Sequence, residues 1–196
     1  KNGVPVFTTD EQYSLDHPIG NIQPDLLMSV TPSFTYKGFT LSALFDMKFG
    51  GDVVSVSEAI ATSHGISKRT EQRGELLLPG MNEDGTVNTQ RIDAQLFYQA
   101  VGGRQQAVAE EFVYNASFIR LKEISFGYSF PSLLLRKTPV SSLRVSFVGR
   151  NLAYLMKHTP GTSPEGGYDT SMFSQALDFS SLPYSRTFGF SINVGF

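Results

Sequence analysis

Strict two-residue alternation over five segments limits what this chain can fold into. A period of two places alternate residues on opposite faces of a strand. In residues 28–36, Met28, Val30, Pro32, Phe34 and Tyr36 share one face, against Ser29, Thr31, Ser33 and Thr35. Lys37 and Gly38 then make a two-residue hairpin loop. Phe39, Leu41, Ala43, Phe45, Met47 and Phe49 follow on one face, with Thr40, Ser42, Asp46 and Lys48 on the other. Such a loop sets Tyr36 opposite Phe39, so the two apolar stripes merge in register. A third strand, at 117–130, carries Ile124, Phe126, Tyr128 and Phe130 on its apolar face. Ile119 and Leu121 are out of phase with that stripe, which predicts a β-bulge near Lys122 and Glu123. A fourth, at 142–152, sets Leu143, Val145, Phe147 and Gly149 against Ser142, Arg144, Ser146 and Arg150. In the fifth, at 185–196, Phe188, Phe190, Ile192, Val194 and Phe196 alternate with small polar residues. With the first strand taken from residue 26, the predicted strands are 26–36, 39–49, 117–130, 142–152 and 185–196.

Alternation alone admits both a soluble β-sandwich, apolar face inward, and a membrane β-barrel, apolar face outward. Three features favour the barrel. The connections at 37–38, 50–116, 131–141 and 153–184 run short, long, short, long, as do the turns and loops of bacterial barrels. The last residue, Phe196, belongs to the apolar stripe. The opposite face is small and hydroxylic, suited to a watery lumen. No stretch approaches the run of about 18 apolar residues that a membrane helix needs, whereas barrel strands are only half apolar. The fold class expected is therefore all-β: an antiparallel up-and-down transmembrane β-barrel, present as a C-terminal five-strand fragment with long extracellular loops at 50–116 and 153–184. Five strands do not close a barrel. The chain opens at Lys1 without an initiator Met or a secretory leader, so an N-terminal part is expected to precede it.

Within the loops, 54–62, 92–101 and 105–112 are predicted as short helices, and 131–137 as one helical turn with Pro131 at its first position. Pro32 is a misfit, since it removes a ladder donor; it marks either a bulge or a local break.

Several runs resemble one family. NASFIRLKEISFGYSFP at 115–131 and SLRVSFVGRNL at 142–152 are similar to signatures of SusC/RagA-type TonB-dependent transporters, with Arg150 where that family usually has Gln. Ile19-Gly20-Asn21, Pro24-Asp25, Tyr36-Lys37-Gly38-Phe39 and Phe49-Gly50-Gly51-Asp52 resemble the same family in order. So do the loop at 161–169 and the closing run at 183–190. The matches extend from Ile19 to Phe196. The resemblance implies a 22-stranded barrel plugged by an N-terminal domain, driven by TonB and lidded by a SusD-like surface lipoprotein. It implies import of oligosaccharides or peptides across the outer membrane of a Gram-negative bacterium. It also implies that Phe196, with Phe190, Ile192 and Val194, is read by the outer-membrane assembly machinery. A siderophore or cobalamin receptor of the same barrel type is the nearest alternative, and a soluble binding or adhesion sandwich the more distant one.

The chemistry of an enzyme is poorly represented. Charge is nearly balanced, 16 Lys and Arg against 18 Asp and Glu, and there is no basic stripe for nucleic acid. With no cysteine, thiolate metal sites and disulfides are ruled out. His17, His64 and His158 are scattered over loops without metal-ligand spacing. Asn82 to Gly85 lacks the alternating acidic spacing of a calcium loop. Gly50-Gly51 and Gly102-Gly103 lack phosphate-loop spacing. No cofactor is expected. Candidates for substrate contact are the lumen-face residues Asp46, Lys48, Arg144 and Arg150 and the loop aromatics Tyr98, Tyr168 and Phe173. Each has a plainer reading, since lumen charges pair with one another and loop aromatics pack their loop.

Overall fold

A computed structural model describes residues 16–82, 84–103, 108–161, 163–165, 167 and 174–196. The chain divides into two compact units.

One unit, residues 24–50, 116–158 and 183–196, is a single antiparallel ladder. Its strands are β1 (Leu26–Val30), β2 (Ser33–Tyr36), β3 (Phe39–Phe49), β8 (Phe118–Ser129), β9 (Ser142–Lys157) and β11 (Thr187–Gly195). The order is β1-β3-β8-β9-β11, with β2 also on β3. The first turn follows from its residues. Lys37 (φ 46°) and Gly38 (φ 87°) both adopt positive φ, as a type I′ hairpin requires, and Tyr36 is opposite Phe39.

The run at 26–36 is divided at Thr31 and Pro32, yet no bulge is present. Val30 pairs with Phe45 and Ser33 with Ser42, so the register passes unchanged across the gap. The Ala43 N–H donates to the Pro32 carbonyl at 3.1 Å; proline has no N–H to return the bond. The predicted bulge in β8 is at Lys122. Leu44 pairs with Glu123 and Phe45 with Leu121, leaving Lys122 extra. The extra residue brings Ile119 and Leu121 onto the same face as Ile124 and Phe126, opposite Met47 and Phe45.

β9 is longer than expected, reaching Lys157 rather than residue 152. Sequence alternation fails there because β9 carries a bulge of its own. Leu121 pairs with Ala153 but Glu123 with Arg150, so Asn151 and Leu152 together face Lys122. Asn151 takes φ 53°, a left-handed conformation that asparagine tolerates better than most side chains. The turn at 131–137 contains the helix α3 (Ser132–Leu135). Pro131, the predicted first helical residue, is instead the extended N-cap (ψ 138°), so the helix starts one residue later, at Ser132.

The other unit, formed by the described residues of 1–23, 51–115 and 159–182, holds most of both long connections. It is not irregular loop. β4 (Asp52–Ser55) is the centre of a three-stranded sheet with β7 (Val113–Asn115) antiparallel and β10 (Leu177–Asp178) parallel to it. β5 (Glu75–Leu77) and β6 (Arg91–Asp93) form a hairpin. The predicted helices at 54–62 and 92–101 are α1 (Val56–Ser63) and α2 (Ala94–Val101). Each starts late because its cap precedes it: Ser55 Oγ accepts from the Glu58 N–H at 3.1 Å, and Asp93 from the Gln95 N–H at 2.7 Å. Of the predicted helix at 105–112, the structure describes a 3-10 turn at Ala109–Phe112; residues 105–107 lie outside the described residues. Leu76, Ile92, Ala94 and Tyr98 form a small core. At Gly102 an added Cβ would come within 2.7 Å of the Ala59 carbonyl, so this glycine lets the end of α2 close onto α1.

Candidate functional site

The two faces of the ladder differ in a way that decides between the architectures open to the sequence. Register lines up Phe34, Leu41, Phe126, Phe147 and Phe190 as one row across the sheet, and Tyr36, Phe39, Tyr128, Val145 and Ile192 as the next. Phe147 stacks on Phe188 at 6.0 Å and meets Phe190 edge-on at 5.5 Å, while Phe39 lies 4.6 Å from Tyr128. Gly149 opens the space for this packing, since a Cβ there would approach the Phe188 ring at 3.2 Å. This aromatic face is the exposed one: Phe190 is 79% and Phe34 68% accessible. On the polar face Arg120 is 5% and Ser146 6% accessible. A soluble sandwich buries its aromatic face, whereas a membrane barrel turns that face to lipid. The sandwich alternative is thereby overturned.

The polar face carries ordered ion pairs. Asp46 accepts from Ser29 Oγ at 2.9 Å, Arg120 Nη2 at 3.0 Å and Lys122 Nζ at 3.1 Å. This joins β1, β3 and β8, and the bulge is what delivers Lys122. The Arg120 guanidinium also lies over the rings of Phe118, Tyr154 and Tyr184 at 5.9, 5.9 and 5.2 Å, which adds contacts to β9 and to the approach to β11. Further along, Arg150 Nε donates to Glu123 Oε2 at 2.8 Å. The Arg120–Asp46 pair, with its guanidinium buried, orients strands more than it stabilises them, because desolvation offsets much of the attraction; the Arg150–Glu123 pair is exposed.

Of the sequence candidates, Asp46 and Arg150 therefore serve the wall itself. Arg144 is half-buried, opposite Asn193 and Ser129, and has no ion-pair partner among the described residues. Lys48 pairs in register with Leu27 and Phe118. Tyr98 is not a ligand-facing aromatic: it is buried, and its hydroxyl donates to the Arg69 carbonyl at 3.1 Å. Tyr168 and Phe173 lie outside the described residues. Sequence reasoning missed Arg120 as the centre of the cluster. Its signal was the out-of-phase stretch around the bulge, which hid which face it occupies.

In the unit of the long connections, a buried polar pair joins segments far apart in sequence. Ser55 Oγ, besides capping α1, donates to Asp178 Oδ2 at 2.7 Å, and both residues are fully buried. The Ser180 N–H donates to Ser57 Oγ at 2.7 Å, and the Val54 N–H to the Ala176 carbonyl at 2.8 Å. Residues 174–182 are thus strapped across the start of α1, where the positive end of the helix favours the Asp178 carboxylate. Arg69 bridges to Glu111 at 2.8 Å and lies over Phe112 at 5.0 Å. Burial is the largest single influence and works against its charge, but the hydrogen bonds and charge interactions with Glu111 and Tyr114 together outweigh it and the pKa is raised. Burial likewise pushes the neighbouring Tyr114 phenol up, against the opposing influence of Arg69.

Fold and faces together define the class: a segment of an antiparallel β-barrel of the outer-membrane type. The chain is 29% identical over 183 residues to TonB-dependent receptor P3 of Formosa agariphila, covering 91% of this chain and 17% of that receptor. Among solved structures it is similar to the RagAB peptide importer in the "closed-closed" state, with TM-score 0.59 and 20% identity over 88% of this chain and 17% of that one. The same importer in the "open-open" state gives 0.58 and 21% over 89% and 17%. No family model matches. The chain is thus similar in sequence to a TonB-dependent receptor and in fold to the RagAB importer, and it spans 17% of the length of these relatives. Those relatives are receptors and transporters, not enzymes.

Proposed function

We propose that the intact protein is a TonB-dependent importer in the outer membrane of a Gram-negative bacterium, taking up oligosaccharides or peptides beneath a SusD-like surface lipoprotein. The observation that carries this reading is the inverted ladder, with its aromatic face exposed and Arg120 and Ser146 of its polar face buried, in a chain similar to a TonB-dependent receptor over nine-tenths of its length. The solved structures of like fold are described as a peptide importer, which supports the peptide arm. The SusC/RagA motif series favours this reading over a siderophore or cobalamin receptor.

In this reading the C-terminal end of β11 is periplasmic, the turns at 37–38 and 131–141 are periplasmic too, and the connections holding α1, α2 and β10 face outside. Arg144, on the polar wall without an ionic partner among the described residues, is the strongest lumen candidate for contact with substrate or plug; Asp46 and Arg150 shape the wall around it. The exposed stripe Phe190, Ile192, Val194 and Phe196 is the surface read by the outer-membrane assembly machinery. Phe196→Ala should lower the amount of inserted receptor more than the melting temperature of receptor already inserted, and equal surface levels would count against that role. The deciding test is epitope access on intact cells expressing the full-length receptor. A tag at Gly85 should be reached from outside and one at Lys137 should not. The reverse result would invert the topology and remove the capture role of the outer connections.

A further inference from the structure

α3 presents apolar surface that the ladder does not cover. Leu135 is buried, and the region packs against β9. Leu133 and Leu134, beside it, are 75% and 66% accessible. Arg136 and Lys137 follow directly and are exposed. The turn is held by its own bonds: the Leu134 N–H donates to the Pro131 carbonyl at 3.0 Å, and the Thr138 N–H and hydroxyl donate to the Leu135 carbonyl at 2.9 and 2.8 Å. Two leucines and two cations are therefore displayed in a set arrangement.

The surroundings of the turn indicate what covers it. The chain enters from Phe130, whose ring lies edge-on to Tyr128 at 5.0 Å and whose N–H donates to the Leu143 carbonyl at 2.9 Å. It leaves through Ser141, whose N–H donates to the Gly195 carbonyl at 2.7 Å, next to the exposed Phe196. Both ends are continuous with the end of the aromatic stripe. On a membrane barrel that end is the boundary between hydrocarbon and headgroups. Leucine side chains fit the apolar side of that boundary, and the long stems of Arg and Lys reach back to phosphate.

We propose that the Pro131–Lys137 turn is a lipid-interface anchor, with Leu133 and Leu134 seated among the acyl chains of the periplasmic leaflet and Arg136 and Lys137 on lipid phosphates. The anchor rests on the barrel reading above. Near an anionic surface each basic residue favours association roughly fivefold, so the contact strengthens with the anionic content of the leaflet.

The test uses the full-length receptor in nanodiscs, with an environment-sensitive fluorophore on Leu134→Cys or, separately, on Phe190→Cys, in a background without other cysteines. Brominated acyl chains should quench both probes relative to unbrominated lipid. In discs of anionic phosphatidylglycerol, Arg136→Gln with Lys137→Gln should reduce quenching at position 134 and leave position 190 unchanged. Quenching at 190 with water-like emission at 134 would overturn the anchor and leave the barrel standing. Loss of quenching at both positions would overturn the barrel reading and the anchor with it. Equal quenching at 134 in anionic and zwitterionic discs, unaffected by the two substitutions, would overturn the phosphate contact.

Discussion

Asn151 shows how one side chain can set a strand's course. Its φ of 53° costs most L-residues roughly 1–2 kcal/mol, and its amide donates to the Ser185 carbonyl at 3.3 Å. Asn151→Val should lower the stability of the detergent-purified full-length protein by about that amount, whereas Asn151→Gly should lose less, since glycine takes the conformation freely. Equal melting temperatures for wild type and the valine variant would show that the bulge relaxes instead. On β11, Phe190 and Ser191 test the faces directly. Phe190→Arg should cost about 2–4 kcal/mol at mid-bilayer, and Ser191→Arg, on the half-buried polar face, far less. Similar folded yields in outer membranes for both variants would contradict the lipid assignment.

At the scale of elements, the broken first strand makes a prediction that runs against the usual sign. Pro32 accepts from Ala43 but returns no bond, while the register on either side is intact. Pro32→Val should restore the missing donor and stabilise the ladder by about 0.5–1.5 kcal/mol, read as a higher unfolding midpoint in urea. A lower midpoint would mean that proline is needed there for insertion geometry. The strap made by β10 behaves as an element too, though only Leu177 and Asp178 pair with β4. Asp178→Ala removes a buried acceptor and leaves the Ser55 hydroxyl without one, at a cost of about 1–3 kcal/mol. Protease cleavage within 174–182 should rise in that variant while the amount of inserted barrel is unchanged. Cleavage at the wild-type rate would show that the Ser180 and Val54 bonds suffice.

For the whole molecule, the consequential fact is that the two long connections share one folded unit. A deletion confined to 158–182 removes β10, the strand parallel to β4, and with it the Asp178 partner of Ser55. Such a deletion should therefore expose 51–115 to proteolysis as well, while the ladder retains its own register and ion pairs. If only the shortened segment became sensitive, the two connections would be independent of each other in stability.

Period-two alternation determined the ladder, because burying one face and wetting the other is a local property of strand geometry. It placed β3 at 39–49, set the first hairpin's pairing and put a bulge near Lys122 and Glu123, which the register assigns to Lys122. The caps at Ser55 and Asp93 were likewise within reach of short-range rules. Which face looks outward was not legible from alternation, since the pattern is the same for lipid and for solvent. Only the tertiary structure, with Arg120 and Ser146 buried and Phe190 exposed, decided it. Nor did the sequence show that Arg120 and Asp46 meet, or that Ser55 meets Asp178. Those pairs are separated by 74 and 123 residues, and proximity over such distances arises from chain topology, which no local pattern encodes.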